Sequence, residues 1–299
     1  MLAKPRKTPA PPQTTIEVAG VTITHPDRVI SQTGAITKGQ LAEYYGLAAP
    51  LVLAHISRHP ISLLRCPAGI DKQCFFQRNP GIGLGPRVHP FTFHNKGKTY
   101  EYLYIEDNAG LLSVIQMGAT EIHPWGASID KIDSPDRMIF DLDPAPDVSF
   151  DAVKRGAEDL RLRLKQRGLE SVPKCTGGKG IHVVVPLAER DEWGAVKAFA
   201  GKMAAEMVEA APSLYVATMS KAKRVGKIFI DYLRNDYTAT AIADYSVRAH
   251  EGAPVAVPLE WMELKSVKAA DQFTIADVTE RLRAKRHVAW PKAQRLPRQ

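Results

Sequence analysis

The sequence predicts an α/β (α+β) protein whose centre is a βαββαβ sheet with two helices on one face, joined to an N-terminal α/β module. Three observations predict it. Residues 137–250 alternate short apolar runs with stretches of helical apolar spacing. The 299 residues are 44% hydrophobic and 24% charged, a globular composition that excludes disorder throughout. No apolar run reaches the roughly 18 residues that a membrane-spanning helix needs.

Along the chain, residues 1–13 are Pro-rich and basic with no apolar core, and read as a flexible tail or linker. TIEVAGVTITH alternates apolar and polar residues and predicts a strand hairpin. From Thr37, the spacing of Leu41, Tyr44 or Tyr45, and Ala48 predicts a helix. Short strands are expected over 61–65, 74–77 and 100–105, and NPGIGLGPR over 79–87 is a loop. A strand over 137–143 precedes a helix over 151–168, with Val153, Ala157, Leu160 and Leu164 on its apolar face and a terminating glycine. A strand over 179–186 leads into a helix marked by Trp193, Val196, Phe199, Met203 and Met207, and residues 227–233 and 239–249 read as a last strand pair. The expected organisation is one domain over 14–285 (module 14–118, core 119–250, C-terminal segment 251–285), then a basic tail over 286–299.

The three cysteines form no CxxC pair, which suits a reduced compartment, argues against a disulfide or zinc framework, and makes Cys66, Cys74 and Cys175 small buried hydrophobes. The cytoplasm is the expected location. The net charge of +8 misleads, because residues 1–12 and 281–299 carry ten positive charges and no acid, leaving −2 over 13–280. Local charge is more informative. Residues 55–100 sum to +6 around Phe75 and Phe76, as a nucleic-acid strand with stacked bases requires, while residues 121–151 sum to −6. The bland alternative buries both phenylalanines and solvates the lysines.

In MIFDLDP, Asp141 and Asp143 stand at i and i+2 of a strand and share a face, with Phe140 and Leu142 opposite. Two such carboxylates repel unless a cation lies between them, and hard divalent ions are the usual solution. Asp231 ends a second apolar strand, KIFID, and three carboxylates can hold two ions. Its competing role is an ion pair with Arg234. KCTGGKGIHVVVP adds a glycine-rich turn in which the backbone can approach phosphate, with Thr176, Lys179 and His182 supplying a hydroxyl, a cation and an imidazole. It lacks the Walker spacing and is followed by a strand. A DxD phosphatase of the haloacid dehalogenase type fits the carboxylates but wants Thr or Val where Pro144 and Ala145 stand. A non-catalytic DNA-end-binding module fits the basic strip but not the carboxylates.

IFDLDP, TGGKGIH, KIFIDYLRN and DYSVRA, with THPDRVI, GAITKGQLAEYY, CFFQRNP and EIHPWGA, resemble in order and spacing the archaeo-eukaryotic primase-polymerase superfamily, specifically the polymerase domain of bacterial DNA ligase D. The likeness runs from about Thr14 to Arg283. It implies a primase-polymerase fold with an RRM-like catalytic sheet. It also implies a polymerase that fills gaps and extends 3′ ends in non-homologous end joining, using NTP or dNTP, two Mn²⁺ or Mg²⁺ ions, a ligase domain and Ku, near the nucleoid. Asp141, Asp143 and Asp231 would be metal-binding and catalytic. Thr176, Lys179, His182, Ser246 and Arg248 would hold the triphosphate, and His123 the sugar. Phe75 and Phe76 would pack on bases, and Lys38 and Arg28 would bind the 5′ phosphate of a gap or break. Arg65, Lys221 and Arg224 are further phosphate candidates. Thr176 stands where Ser is common, Arg28 where Lys is usual, and Asp244 where Pro or Ala precedes the tyrosine, an extra acid expected near Arg248. No ligase or nuclease signature is present, and the Pro-rich start favours a domain taken from a longer chain.

Overall fold

A computed structural model describes residues 14–81 and 85–297. β1 (Thr15–Val18) and β2 (Val21–Thr24) make the expected hairpin. β3 (Val29–Ser31) and β4 (Ile36–Thr37) lead into α1 (Lys38–Ile56). Thr37 caps α1 in a capping box: its hydroxyl accepts the Gln40 N–H while the Gln40 side chain accepts the Thr37 N–H. Tyr44 and Tyr45 are both buried, so the apolar face is wider than the spacing required.

In the first sheet, β5 (Ile61–Arg65) is central and antiparallel to β6 (Phe75–Gln77), β8 (Lys98–Tyr104) and β9 (Ala119–Pro124), with β7 (His89–Asn95) on the far side of β8. β7 escapes sequence reading because HPFTFHN alternates exposed with half-buried or buried positions and its His, Pro, Thr and Asn read as polar. The Lys96–Gly97 turn, with both residues at positive φ, closes the β7–β8 hairpin. α2 (Asn108–Gln116), capped by Asp107, packs on α1. β9 belongs by hydrogen bonding to this sheet, although its sequence position falls in the region expected to be the catalytic core.

The second sheet holds the expected βαββαβ unit as β10 (Arg137–Pro144), α3 (Phe150–Gln166), β11 (Val172–Cys175), β12 (Ile181–Pro186), α4 (Trp193–Ala210) and, after a short extra strand β13 (Tyr215–Val216), β14 (Ile228–Asp231); β11 and β13 are not located from the sequence. Its strand order is β13-β14-β10-β12-β11-β15, with β15 (Val257–Pro258) added from the C-terminal segment. α3 begins at the Ser149 cap and ends before Gly168 at φ 75°. α3 and α4 pack on one face against Phe140, Leu142, Ile181 and Val183. The other face is left for chemistry. Short helices α5 (Trp261–Leu264) and α6 (Ile275–Arg283) follow.

Three expectations are corrected. Residues 239–249 form no strand pair: Thr238 and Tyr245 take positive φ, which breaks a ladder, and the segment instead crosses between the sheets, Ala241 and Ala243 donating to Pro124 and Ile122 of β9. Cys66 and Cys74 are disulfide-bonded, because β5 ends where β6 begins its return. The small-hydrophobe reading holds for Cys175, which is free and buried. Residues 286–297 are no loose tail. Trp290 stacks on His55 and donates to Asp244, and the Gln294 backbone bonds Pro186 and Ala188.

Candidate active site

The open face of the second sheet is organised by register. Asp231, Asp141, His182 and Lys174 are successive cross-strand partners, so one row carries two carboxylates, an imidazole and an ammonium across four strands. Asp143 lies two residues along β10 on the same face, as its alternation requires.

The carboxylates are partnered by basic side chains, an imidazole among three formal cations. His182 Nε2 lies 3.6 Å from Asp141, Arg234 lies 3.2 Å from Asp231 and 3.7 Å from Asp141, and Lys179 and Arg224 lie 3.1 and 3.4 Å from Asp143. The Arg234–Asp231 pair foreseen as the bland alternative is therefore present, and it sits inside the acidic row. Burial pushes the Asp231 carboxyl up, and the facing Asp141 adds to the shift despite Arg234. For Asp141, burial opposes ionisation but His182, Arg234 and Arg248 outweigh it and hold the carboxyl low. Among the described residues no three carboxylate, imidazole or thiolate groups converge into a ready cation cage. The donor set nevertheless fits hard divalent ions, since Asp141 and Asp231 oppose each other directly and basic side chains now supply the positive charge between them.

The glycine turn joins β11 to β12 against this row. Gly177 has φ 67°, and a Cβ there would meet Arg248 at 2.7 Å; a Cβ on Gly180 would meet the Leu142 carbonyl oxygen at 2.6 Å. The turn must therefore be glycine at both places. Thr176 directs its hydroxyl to the Gly180 carbonyl and shapes the turn, while Lys179 is exposed and donates to the Pro144 carbonyl.

Three adjoining lobes meet at Asp141 and Arg234. One, of about 630 Å³, is lined by the glycine turn, Asp143, Arg248, His250 and His182. A second, of about 330 Å³, is lined by Phe76, Arg78, His123, Ser62 and Arg248. The third, of about 310 Å³, lies among Asp143, Asp231, Met219, Arg224 and Phe229. Among the described residues, His182 Nδ1 and Arg224 Nε are buried without hydrogen-bond partners, and Arg248 Nε is buried with only an ion-pair contact to Glu121, so polar atoms are left over around the cleft. Phe75 and Phe76 are 45% and 59% exposed, which rules out the core reading for both.

Not every residue singled out from the sequence reaches the cleft. Ser246 is fully buried and bonds Tyr45, the Ile122 N–H and the Val247 carbonyl. Asp244 does not approach Arg248: it pairs with buried Lys174 at 2.9 Å, and the acid beside Arg248 is Glu121 at 3.2 Å. Arg65 binds the Met117 carbonyl and Gln77 beneath the Phe75 ring. Arg224 lies over Phe229, and Lys221 is exposed on the neighbouring turn. Lys38 and Arg28 adjoin each other apart from the three lobes: the Lys38 N–H donates to the Arg28 carbonyl, the Lys38 ammonium binds Thr24 and Gln116, and Arg28 Nε has no hydrogen-bond partner among the described residues. Sequence reading missed Arg78, Glu121, Lys174 and His250. Glu121 could have been found from its i, i+2 spacing to His123 on a strand.

The profile of the family described as "LigD, primase-polymerase domain" matches residues 37–290. The chain belongs to this family. LigD primase-polymerase domains are nucleotidyltransferases, and the mixed α/β architecture agrees with the family fold. The chain is 38% identical over 271 residues to the multifunctional non-homologous end joining protein LigD of Pseudomonas aeruginosa, covering 88% of this chain and 31% of that protein. It is 29% identical over 258 residues to the bifunctional LigD of Bacillus subtilis, covering 86% and 41%. The chain thus spans about a third of the length of the P. aeruginosa relative. Among solved structures it is similar to the polymerase domain of Mycobacterium tuberculosis ligase D in complex with DNA, at a TM-score of 0.83 and 28% identity over 90% of this chain and 96% of that one. No helix of the described residues is long and apolar enough to cross a membrane.

Proposed function

We propose that this domain is a DNA-dependent polymerase that fills gaps and extends 3′ ends at breaks during non-homologous end joining, accepting NTP or dNTP and recognising a 5′ phosphate. The observation that carries it is the meeting of three lobes at the strand-borne carboxylates, because templated transfer needs triphosphate, base and primer terminus at one point. The glycine-turn lobe, with Lys179, His182 and Arg248, suits the triphosphate. The lobe at Phe76 and His123 suits the sugar and base, and the lobe at Arg224 and Met219 suits the primer end. Asp141, Asp143 and Asp231 would hold two Mn²⁺ or Mg²⁺ ions. Such ions, when bound, make a primer 3′ hydroxyl more acidic and neutralise charge on the phosphates.

The chain's own residues do the rest. Arg248 and Lys179 orient the polyphosphate so that its α-phosphorus faces the hydroxyl, and pyrophosphate is the leaving group. Phe75 and Phe76 stack on bases at the template side. Arg28 and Lys38, apart from the cleft, suit the downstream 5′ phosphate. The partners expected for the longer protein are its ligase domain and Ku. The test is primer extension on a gapped, 5′-phosphorylated duplex. Asp143→Ala and Asp231→Ala are expected to abolish extension while leaving DNA binding largely intact, and normal extension by either variant would overturn the proposal.

A further inference from the structure

We propose that Glu121 is a positioning residue of the nucleotide site, a buried carboxylate that fixes the tautomer of His123 and the placement of Arg248 together. The inference rests on the polymerase reading and goes beyond it, because Glu121 lines none of the three lobes and acts only through its neighbours.

Glu121 and His123 alternate onto one face of β9, with Ile122 opposite in the core. The Glu121 side chain is 4% exposed, so it has no access to solvent that would explain a charge there. One carboxylate oxygen accepts a 2.7 Å hydrogen bond from His123 Nε2; the other accepts the Ala249 N–H at 2.8 Å and lies 3.2 Å from Arg248 Nε. A buried carboxylate is costly unless its bonds are satisfied, and every partner here belongs to the nucleotide-facing group or to the backbone beside it.

The bond to His123 dictates a tautomer. Burial would raise the Glu121 carboxyl, but the His123 hydrogen bond and the Arg248 charge hold it at about 2, so it cannot donate. Nε2 must therefore carry the proton. Burial keeps the His123 pKa below the usual range in spite of Glu121, so the ring is neutral and Nδ1 is left as an acceptor. An accepting Nδ1 suits a hydroxyl donor, which a nucleotide sugar supplies. On the other side, Glu121 lies at the Nε edge of Arg248 while its Nη1 donates to the Thr176 carbonyl, so the guanidinium is held against the glycine turn. One carboxylate thus sets the sugar-facing and phosphate-facing groups in register.

The test uses Glu121→Gln, of equal size, and Glu121→Asp, which keeps the charge but shortens the reach and covers the case that the glutamine variant does not fold. Single-nucleotide gap extension and binding of a fluorescent nucleotide to the enzyme–DNA complex are measured. In the folded variant, KM and nucleotide Kd are expected to rise about tenfold or more, as loss of a charge-assisted hydrogen bond gives, with a smaller change in kcat. Gapped-DNA affinity should stay within about twofold. In a His123→Ala background the effect of the Glu121 change on nucleotide Kd should shrink, which a general packing role would not produce. Unchanged nucleotide Kd, or full additivity with His123→Ala, overturns the proposal. Failure of the wild-type chain to extend any primer sinks the polymerase reading instead, and the nucleotide Kd comparison still scores Glu121.

Discussion

At the scale of single residues, Gly180 and Lys38 give the sharpest expectations. A methyl at Gly180 would collide with the Leu142 carbonyl, and backbone cannot swing aside as a side chain can. Gly180→Ala should therefore destabilise the domain by about 1–3 kcal/mol and weaken nucleotide binding, measurable by denaturant unfolding and nucleotide titration. Lys38 is held down to about 8, first by burial and then by neighbouring Arg28. It is charged below that pH and neutral above it, so a bound 5′ phosphate must bring a proton with it in alkaline solution. The preference for a 5′-phosphorylated over a 5′-hydroxyl gap should fall as pH rises from about 7 to about 9, and Lys38→Arg should flatten that dependence. A preference independent of pH in the wild type would remove Lys38 from the phosphate site.

At the scale of elements, residues 286–297 behave as a strap. Trp290 stacks on His55 at 4.0 Å between ring centroids, lies under the Arg137 guanidinium and donates to Asp244. Trp290→Ala should cost about 2–3 kcal/mol in urea unfolding. His55 sits at about 4 because burial outweighs the pull of Asp244. The unfolded imidazole takes up its proton near 6.5 while the folded one resists until about 4, so stability falls as pH drops through that window. His55→Phe should recover about 2 kcal/mol of the loss between pH 7 and pH 5. The strap was illegible in the sequence, since RHVAWPKAQRLPRQ has no period and its charge reads as solvated. The same limit hid residues 239–249, whose apolar residues alternate as in a strand although positive φ at Thr238 and Tyr245 forbids a ladder. By contrast, β10, β12 and the helices α3 and α4 were legible because their periods are long and face one core. The carboxylate pair was legible for the same reason: strand alternation alone puts Asp141 and Asp143 on one face. What alternation cannot supply is register, and register is what sets Asp231 and His182 on either side of Asp141.

At the scale of the whole molecule, the charge is separated rather than uniformly basic. The acidic row lies on the open face of the second sheet, and the exposed phenylalanines with their basic neighbours belong to the first sheet, joined to it across β9 and residues 239–249. Removing residues 1–12, which hold three of the excess positive charges, should lower non-specific DNA affinity and its salt dependence without changing gap extension. Removing residues 286–299 should instead unfold or inactivate the domain, because it takes the strap away.

The proposed function requires that one cleft join a triphosphate to a primer end. It is tested most directly by following pyrophosphate release and primer length together on a gapped, 5′-phosphorylated duplex with a divalent ion present. Each nucleotide added is expected to release a matching pyrophosphate, and Asp231→Asn is expected to lose both together. Phosphate release without primer growth, or growth that persists in Asp231→Asn, would contradict the proposed function.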